Sequence, residues 1–450
     1  MKIIKNGFVV LPDGMKKADI GIENGNIASI GQIDVNGIPK EDILDAEGLV
    51  VLPGLIDMHV HMRDPGATHK EDAYTGTCCA AAGGVTTIGD MPNNLPPLSD
   101  VPTFKNKQEI FSKKAVVDYG FYVNASAARD ARELKELKDL GAIGIKLFME
   151  EAAQKGSPYG ALTITSDWEI WNLFQRAAEE DMLINVHTDT PSITNSLREV
   201  LKQKEPTWEH YYTLQNSPTH EATVGRLLAY AVRSGARLHI AHIPTAHCIP
   251  LVKLAKQYYP NITADCCVPA ISLDMMKRLG AYATPYGRPE EENEMFWDAL
   301  ADGTIDAVIT DHAPHTREEK DRAKENMWFA PPGVPGLETL LAIMLDRVAK
   351  KKFTFEDIAR VASANPAKIL RIDDKKGSIE VGKNADFAIV DPKEVWTVKN
   401  EDLYTKCGFS PFDGEQFTGR AIATILRGEE IMNRNKVLAG PGFGHMVVRK

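Results

Sequence analysis

Residues 50–66 read VVLPGLIDMHVHMRDPG. The apolar, β-branched opening reads as a buried strand. It then gives three successive odd positions to His59, His61 and Arg63. Side chains two apart on a strand share a face, so two imidazoles and a guanidinium leave the core together. Core packing alone does not ask for that trio.

Similar apolar runs recur through the middle of the chain: LIDMHV (55–60), VTTIGDM (85–91), VVDYGFYVN (116–124), AIGIKLFM (142–149), MLINVH (182–187), RLHIAHI (237–243), NITADCC (261–267) and IDAVITDH (305–312). Longer helical patterns separate them, among them SDWEIWNLFQRAAEED (166–181) and EATVGRLLAYAVRSG (221–235), the latter with an acidic first turn and a Gly stop. Strand–helix alternation repeated eight times predicts an α/β fold, a parallel (β/α)₈ TIM barrel over residues 53–375. An open doubly wound sheet is the alternative, but no GxGxxG follows the first strand.

The two ends differ from the middle. KIIKNGFVVLPDG and ADIGIENGNIASIG alternate short apolar runs with Gly and Asn turns, as do KKGSIEVGKNADFAIVDP and GRAIATILRGEEIMN near the other terminus. Residues 1–52 and 376–450 are therefore expected to build one small composite β-sandwich domain.

The 450 residues suffice for a large domain plus a companion, and 43% hydrophobic with 25% charged residues is ordinary for a soluble globular protein. The longest apolar runs fall short of a membrane span, and MKIIKNGFVVLPDGM lacks the form of a secretory signal, so a cytoplasmic location is expected. A net charge of −10 with scattered Lys and Arg argues against nucleic acid as a partner. The six cysteines form no CxxC and read as reduced thiols packed as small apolar residues.

Barrel enzymes carry their chemistry at the C-terminal ends of strands. Here those ends hold His59 and His61, Lys146, His187, His242 and Asp311. Four of the twelve histidines occupy them. Imidazole and carboxylate suit zinc and related divalent ions. Lys146 is the odd member, since an ammonium repels a cation. It makes sense if carbon dioxide carboxylates the ε-amine to a carbamate that bridges two cations. Taken singly, a strand histidine is more often a core residue and a strand lysine a snorkelling one; the recurrence at one level of the barrel argues for a site.

On these motifs the chain resembles the amidohydrolase superfamily, and within it the cyclic amidohydrolases: dihydroorotases, allantoinases, hydantoinases and dihydropyrimidinases. VLPGLIDMHVH, AAAGGVTTIGDMPNN, GIKLFM, TDHAPH, ASANPAKIL and KKGSIEVGKNADFAIVD carry the likeness, which runs nearly end to end. It implies that His59, His61 and Asp311 hold one divalent metal ion, that His187 and His242 hold the other, and that carboxylated Lys146 bridges the two ions, with zinc the expected metal. It also implies hydrolysis of a cyclic amide by a hydroxide shared between the ions, with Asp311 moving the proton. A homo-dimer or tetramer is a further implication.

The opening motif is most similar to the dihydroorotase branch: HMRDPG, HKEDAYTG and DMPNN. By that likeness Arg63 and Asn93 grip the carboxylate of dihydroorotate and His315 contacts substrate, while His312 supports the site. The plainer alternatives are a salt bridge from Arg63 to Asp64 or Glu71, a turn cap by Asn93, and a supporting hydrogen bond from His315. Other segments depart from that branch: ADCCVPAISL after strand seven, TPYGR with Thr284 in place of asparagine, HIPTAH after strand six, and APPGVPGLE (330–338), nearer the allantoinase and hydantoinase form. The expected activity is thus reversible hydrolysis of dihydroorotate to N-carbamoyl-aspartate, a step of pyrimidine biosynthesis, with an allantoinase or hydantoinase as the alternative. A catalytically silent scaffold relative ranks behind both, because all six metal-site positions are filled.

Overall fold

The computed structural model describes residues 1–150, 163–272, 290–326, 328 and 331–450. The TPYGR segment falls outside them.

Strands β1 (Lys2–Leu11), β2 (Gly14–Glu23), β3 (Asn26–Gly31), β4 (Ile43–Asp45) and β5 (Val50–Pro53) come first in the chain. Asn24 and Gly25 join β2 to β3 with φ of 50° and 78°, the left-handed pair that a tight hairpin requires. Eight strands follow: β6 (Leu55–Val60), β7 (Val85–Asp90), β8 (Asp118–Asn124), β9 (Gly144–Phe148), β10 (Leu183–His187), β11 (Arg237–Ile240), β12 (Ile262–Cys267) and β13 (Ala307–Ile309). The chain ends with β14 (Phe387–Thr397), β15 (Gln416–Leu426), β16 (Glu429–Asn433) and β17 (Lys436–Val437).

Strands β6 to β13 pair in chain order, each parallel to the next, with helices between them. The circle closes between the residues after β13 and β6, through a parallel bridge from Val60 to His312 and a hydrogen bond from His61 N–H to the His312 carbonyl (2.8 Å). This is a (β/α)₈ barrel. The other nine strands form a separate sheet in the order β17–β16–β15–β14–β5–β1–β2–β3, with β4 beside β1. Its central seam pairs Phe387–Val390 antiparallel with Val50–Pro53, so both chain ends share one sheet. Ile4, Val9, Ile20, Val51, Phe387, Ile389 and Ile425 give it an apolar core of its own. The last residues return to the barrel, where Tyr119 N–H donates to the His445 carbonyl and Val447 N–H to the Tyr119 carbonyl.

The helices follow their sequence signals. Asp167–Glu179 and Thr219–Ser234 occupy the two helical patterns, and the second ends on Gly235 in the left-handed conformation (φ 80°), where a Cβ would be strained. No described helix is long and apolar enough to cross a membrane. All six cysteines are buried and unbridged.

The barrel lumen is layered. Ile56, Met58, Tyr122, Ile143, Leu183, Cys267, Ala307 and Ile309 belong to one apolar cluster. Toward the C-terminal ends of the strands the buried residues turn polar: His59, Lys146, Asn185, Asp265 and Asp311 are each less than 5% exposed. Burying so many ionisable groups costs free energy, and it sets the electrostatics of the site.

Candidate active site

Asp57 in β6 organises the first corner. Its carboxylate accepts the His59 N–H (3.1 Å), the Thr310 N–H (3.2 Å) and the Thr310 hydroxyl, tying β6 to the residues that precede Asp311. Burial pushes the Asp57 carboxyl up to about 7. Asp265 in β12 organises the opposite corner. It accepts the His242 N–H, and its Oδ2 lies 2.8 Å from His239 Nε2.

These anchors set two expected ligands just past their strands. The apolar runs predicted strand through residue 243 and residue 312; β11 stops at Ile240 and β13 at Ile309. The cause is local. His242 (φ 34°) and Asp311 (φ 48°) have left the extended region, and Arg63 after β6 (φ 59°) has done the same. Such conformations cost a non-glycine residue on the order of 1 kcal/mol or more and concentrate at functional sites.

Ligand atoms of His59, His242 and Asp311 lie within 4.8 Å of one another. His61 Nε2 is 3.0 Å and His59 Nε2 3.6 Å from Asp311 Oδ1. His187 Nδ1 stands 3.1 Å from His242 Nε2. Lys146 lies deeper, fully buried, with its Nζ 2.9 Å from Asn185 Oδ1 and 5.3 Å from the centre of the Phe148 ring. Burial drives the Lys146 ammonium down to about 7, against the pull of Asp311 and Asp265. Burial, followed by the Lys146 charge among other causes, holds His59 well below the usual imidazole range and His187 down to about 3. Burial, then the charges of His187 and Lys146, does the same to His242.

Those protonation states fit a cation. His59 Nδ1 is buried and has no hydrogen-bond partner among the described residues, while its Nε2 is too far from Asp311 for a hydrogen bond. Asn93 Oδ1 accepts the His61 Nδ1–H at 2.7 Å, so in the neutral ring Nε2 carries a lone pair. That lone pair faces a carboxylate oxygen, and two such atoms 3.0 Å apart need a proton or a cation between them. Imidazoles, a carboxylate and an amine that gives up its proton form a donor set suited to divalent metal ions.

The substrate-side candidates form a second group. Arg63 is 7% exposed; its Nε donates to the Pro314 carbonyl (3.3 Å) and its Nη2 lies 3.2 Å from His315 Nε2. Asn93 meets His61 rather than solvent alone. Asp64 pairs with Lys114 at 2.7 Å, and Glu71 accepts from Thr405 Oγ1 at 2.7 Å. His312 accepts the Gly336 N–H on Nδ1 (3.2 Å) and holds Nε2 3.5 Å from Glu71, a place at the back of the site. Sequence reading did not single out Asp57, Asn185, Asp265, Lys70 or Glu319. The two aspartates had a signal, since each is a lone carboxylate inside an apolar strand run.

The chain matches the model of the amidohydrolase family over residues 50–431. It belongs to that family. Among curated relatives, a dihydroorotase of Methanosarcina acetivorans is 33% identical over 99% of this chain and 94% of its own length. An allantoinase of Salmonella choleraesuis is 30% identical over 99% of this chain and 98% of its own. The solved L-hydantoinase (dihydropyrimidinase) of Arthrobacter aurescens superposes with a TM-score of 0.93 at 29% identity, covering 99% of both chains. This amidohydrolase is thus a hydrolase of the cyclic-amide group.

Proposed function

We propose that this amidohydrolase is a dihydroorotase that interconverts dihydroorotate and N-carbamoyl-aspartate in the cytoplasm. The observation that carries the reading is Arg63, a buried guanidinium held beside His315 at the barrel mouth. A buried arginine fork suits a carboxylate, which dihydroorotate has and allantoin and hydantoin lack. The dihydroorotase name of the Methanosarcina relative agrees with it.

His59, His61 and Asp311 would hold one divalent ion and His187 and His242 a second, with Lys146 carboxylated between them and zinc the metal we favour. When bound, these ions supply Lewis acidity toward the ring carbonyl and lower the pKa of the attacking water. Asp311 takes the proton of that water as it adds to the carbonyl carbon. It returns the proton to the ring nitrogen as the C–N bond breaks. Arg63 and Asn93 orient the substrate by its carboxylate, and His315 contacts the ring from the same side. The reverse sequence closes N-carbamoyl-aspartate with loss of water. A homo-oligomer is the assembly we expect.

The test is a substrate panel at one pH: dihydroorotate, allantoin and hydantoin, on wild type and Arg63→Ala. Dihydroorotate should be the best substrate, and R63A should raise its KM by about 100-fold, as loss of a charge-assisted fork implies. Unchanged dihydroorotate kinetics in R63A would sink the assignment. Best turnover on allantoin or hydantoin would favour the second reading, for which the Salmonella allantoinase and the Arthrobacter L-hydantoinase speak.

A further inference from the structure

His315 Nδ1 faces two partners of opposite kind. Lys70 Nζ, which can only donate, is 3.1 Å away, and Glu319 Oε2, which can only accept when ionised, is 3.3 Å away. Lys70 and Glu319 also pair with each other at 2.8 Å. On the other side of the ring, Nε2 meets the donor-only guanidinium of Arg63 at 3.2 Å. Three charged groups from two segments thus converge on one imidazole that is 7% exposed. His69, 3.7 Å from the other oxygen of Glu319, lies further out.

A neutral imidazole has one N–H and one lone pair, so it cannot satisfy all three at once. Burial, with Arg63, Lys70 and Lys320 nearby, holds the ring down to about 3 despite Glu319, so the doubly protonated form is disfavoured. Two arrangements remain. In one, Nδ1–H donates to Glu319 and Nε2 accepts from Arg63. In the other, Nδ1 accepts from Lys70 and Nε2 carries the hydrogen. The first satisfies Arg63 in the empty pocket. The second turns a donor toward the space in which Arg63 would hold a carboxylate.

We propose that Lys70 and Glu319 are a specificity-determining positioning pair that lets His315 exchange ring tautomers, so that it accepts from Arg63 in the empty pocket and donates Nε2–H to the carboxylate of an anionic substrate. The ring keeps one proton throughout: Nδ1 releases its proton to water past Glu319 while Nε2 takes one from water. Lys70 makes the second tautomer affordable, because without it Nδ1 would be a buried acceptor with no donor. A neutral ring offers Nε2–H no carboxylate and gains nothing from the exchange. The inference rests on the dihydroorotase reading, since it needs a substrate carboxylate on Arg63.

Lys70→Met, Lys70→Arg and Glu319→Gln, prepared as metal-loaded enzyme, test it with dihydroorotate. K70M removes the Nδ1 donor and should raise KM about tenfold with kcat changed less than about twofold; K70R should recover most of that loss. E319Q removes the charge that favours the resting tautomer and should lower KM, by about threefold. The opposite signs are decisive. K70M and E319Q both break the Lys70–Glu319 ion pair, so a purely structural pair would raise KM in both. KM moving the same way in the two variants, or K70M lowering kcat as strongly as kcat/KM, would overturn the proposal while leaving the dihydroorotase reading intact. Wild-type enzyme that does not turn over dihydroorotate would overturn both.

Discussion

Lys146 offers a quantitative test that does not depend on turnover. Its amine is fully buried, with Asn185 Oδ1 as a neutral hydrogen-bond partner, and burial lowers its pKa from 10.5 to about 7. In the unfolded chain the group titrates near its ordinary value. The unfolded state therefore binds more protons than the folded state between pH 7 and pH 10, and stability rises with pH across that window. Below pH 7 the folded protein bears the full cost of a protonated, buried amine. At 1.4 kcal/mol per pKa unit, moving from pH 7 to pH 9 relieves about 2 kcal/mol of it. The perturbation is Lys146→Met, which fills similar volume without a charge. The assay is urea unfolding of metal-stripped protein in buffer purged of carbon dioxide, at pH 7 and pH 9, for wild type and K146M. Buried groups common to both proteins, such as Asp57 and Lys320, cancel in the difference. K146M should be the more stable at pH 7, and its advantage should shrink by about 2 kcal/mol at pH 9. An advantage that stays constant between the two pH values would refute the idea that Lys146 sits in the fold as a readily deprotonated amine.

Asp311→Asn keeps the size of the residue but removes the base; kcat should fall by about 1,000-fold with little change in thermal melting, and elemental analysis should show whether the purified chain loses its metal as well. Lys107 is buried against Asp90 at 2.7 Å, with Asn94 Oδ1 at 2.7 Å and the Met91 carbonyl at 2.9 Å, while Asp90 also accepts the Met62 N–H. Lys107→Met strands that carboxylate in the core, so urea unfolding should report a loss of about 3–5 kcal/mol, and a loss under 1 kcal/mol would contradict it.

The barrel and its donor groups were legible because their signals are local. A run such as MLINVH declares a strand by composition and ends on the residue of interest, and eight such runs set the topology. The paired sheet at the termini was legible in the same way, through hairpins such as ENGN. What composition does not carry is the turn each strand makes as it ends. Non-glycine residues rarely enter the left-handed region, so nothing in HIAH or VITDH announces that His242 and Asp311 have φ of 34° and 48°. Nor does composition carry long-range pairing. Asp57 holds Thr310 across 253 residues, and Glu71 meets Thr405 across 334. HKEDAYTG carries a family likeness that gives Lys70 no part, nothing in TREEKD singles out Glu319, and only the fold turns both onto His315. The specificity of the pocket therefore hides where the chemistry of its centre does not.

The electrostatics of the centre favour linking two of its proposed properties. His59, His187 and His242 are held neutral and Lys146 is poised near neutrality, so the cluster offers lone pairs beside the Asp311 carboxyl, with Asp265 behind His242. Only the free amine can add to carbon dioxide, and a pKa of about 7 makes that form abundant at neutral pH, where an ordinary lysine is almost wholly protonated. Carboxylation would then convert a group that repels cations into one that attracts them, in a lumen where one more uncompensated carboxylate is costly. Under the proposed mechanism, the carbamate and the metal ions would stabilise each other. By linkage, each must raise the affinity for the other by the same factor. Metal loading should therefore demand carbon dioxide or bicarbonate, and stripping the metal should return Lys146 to the free amine.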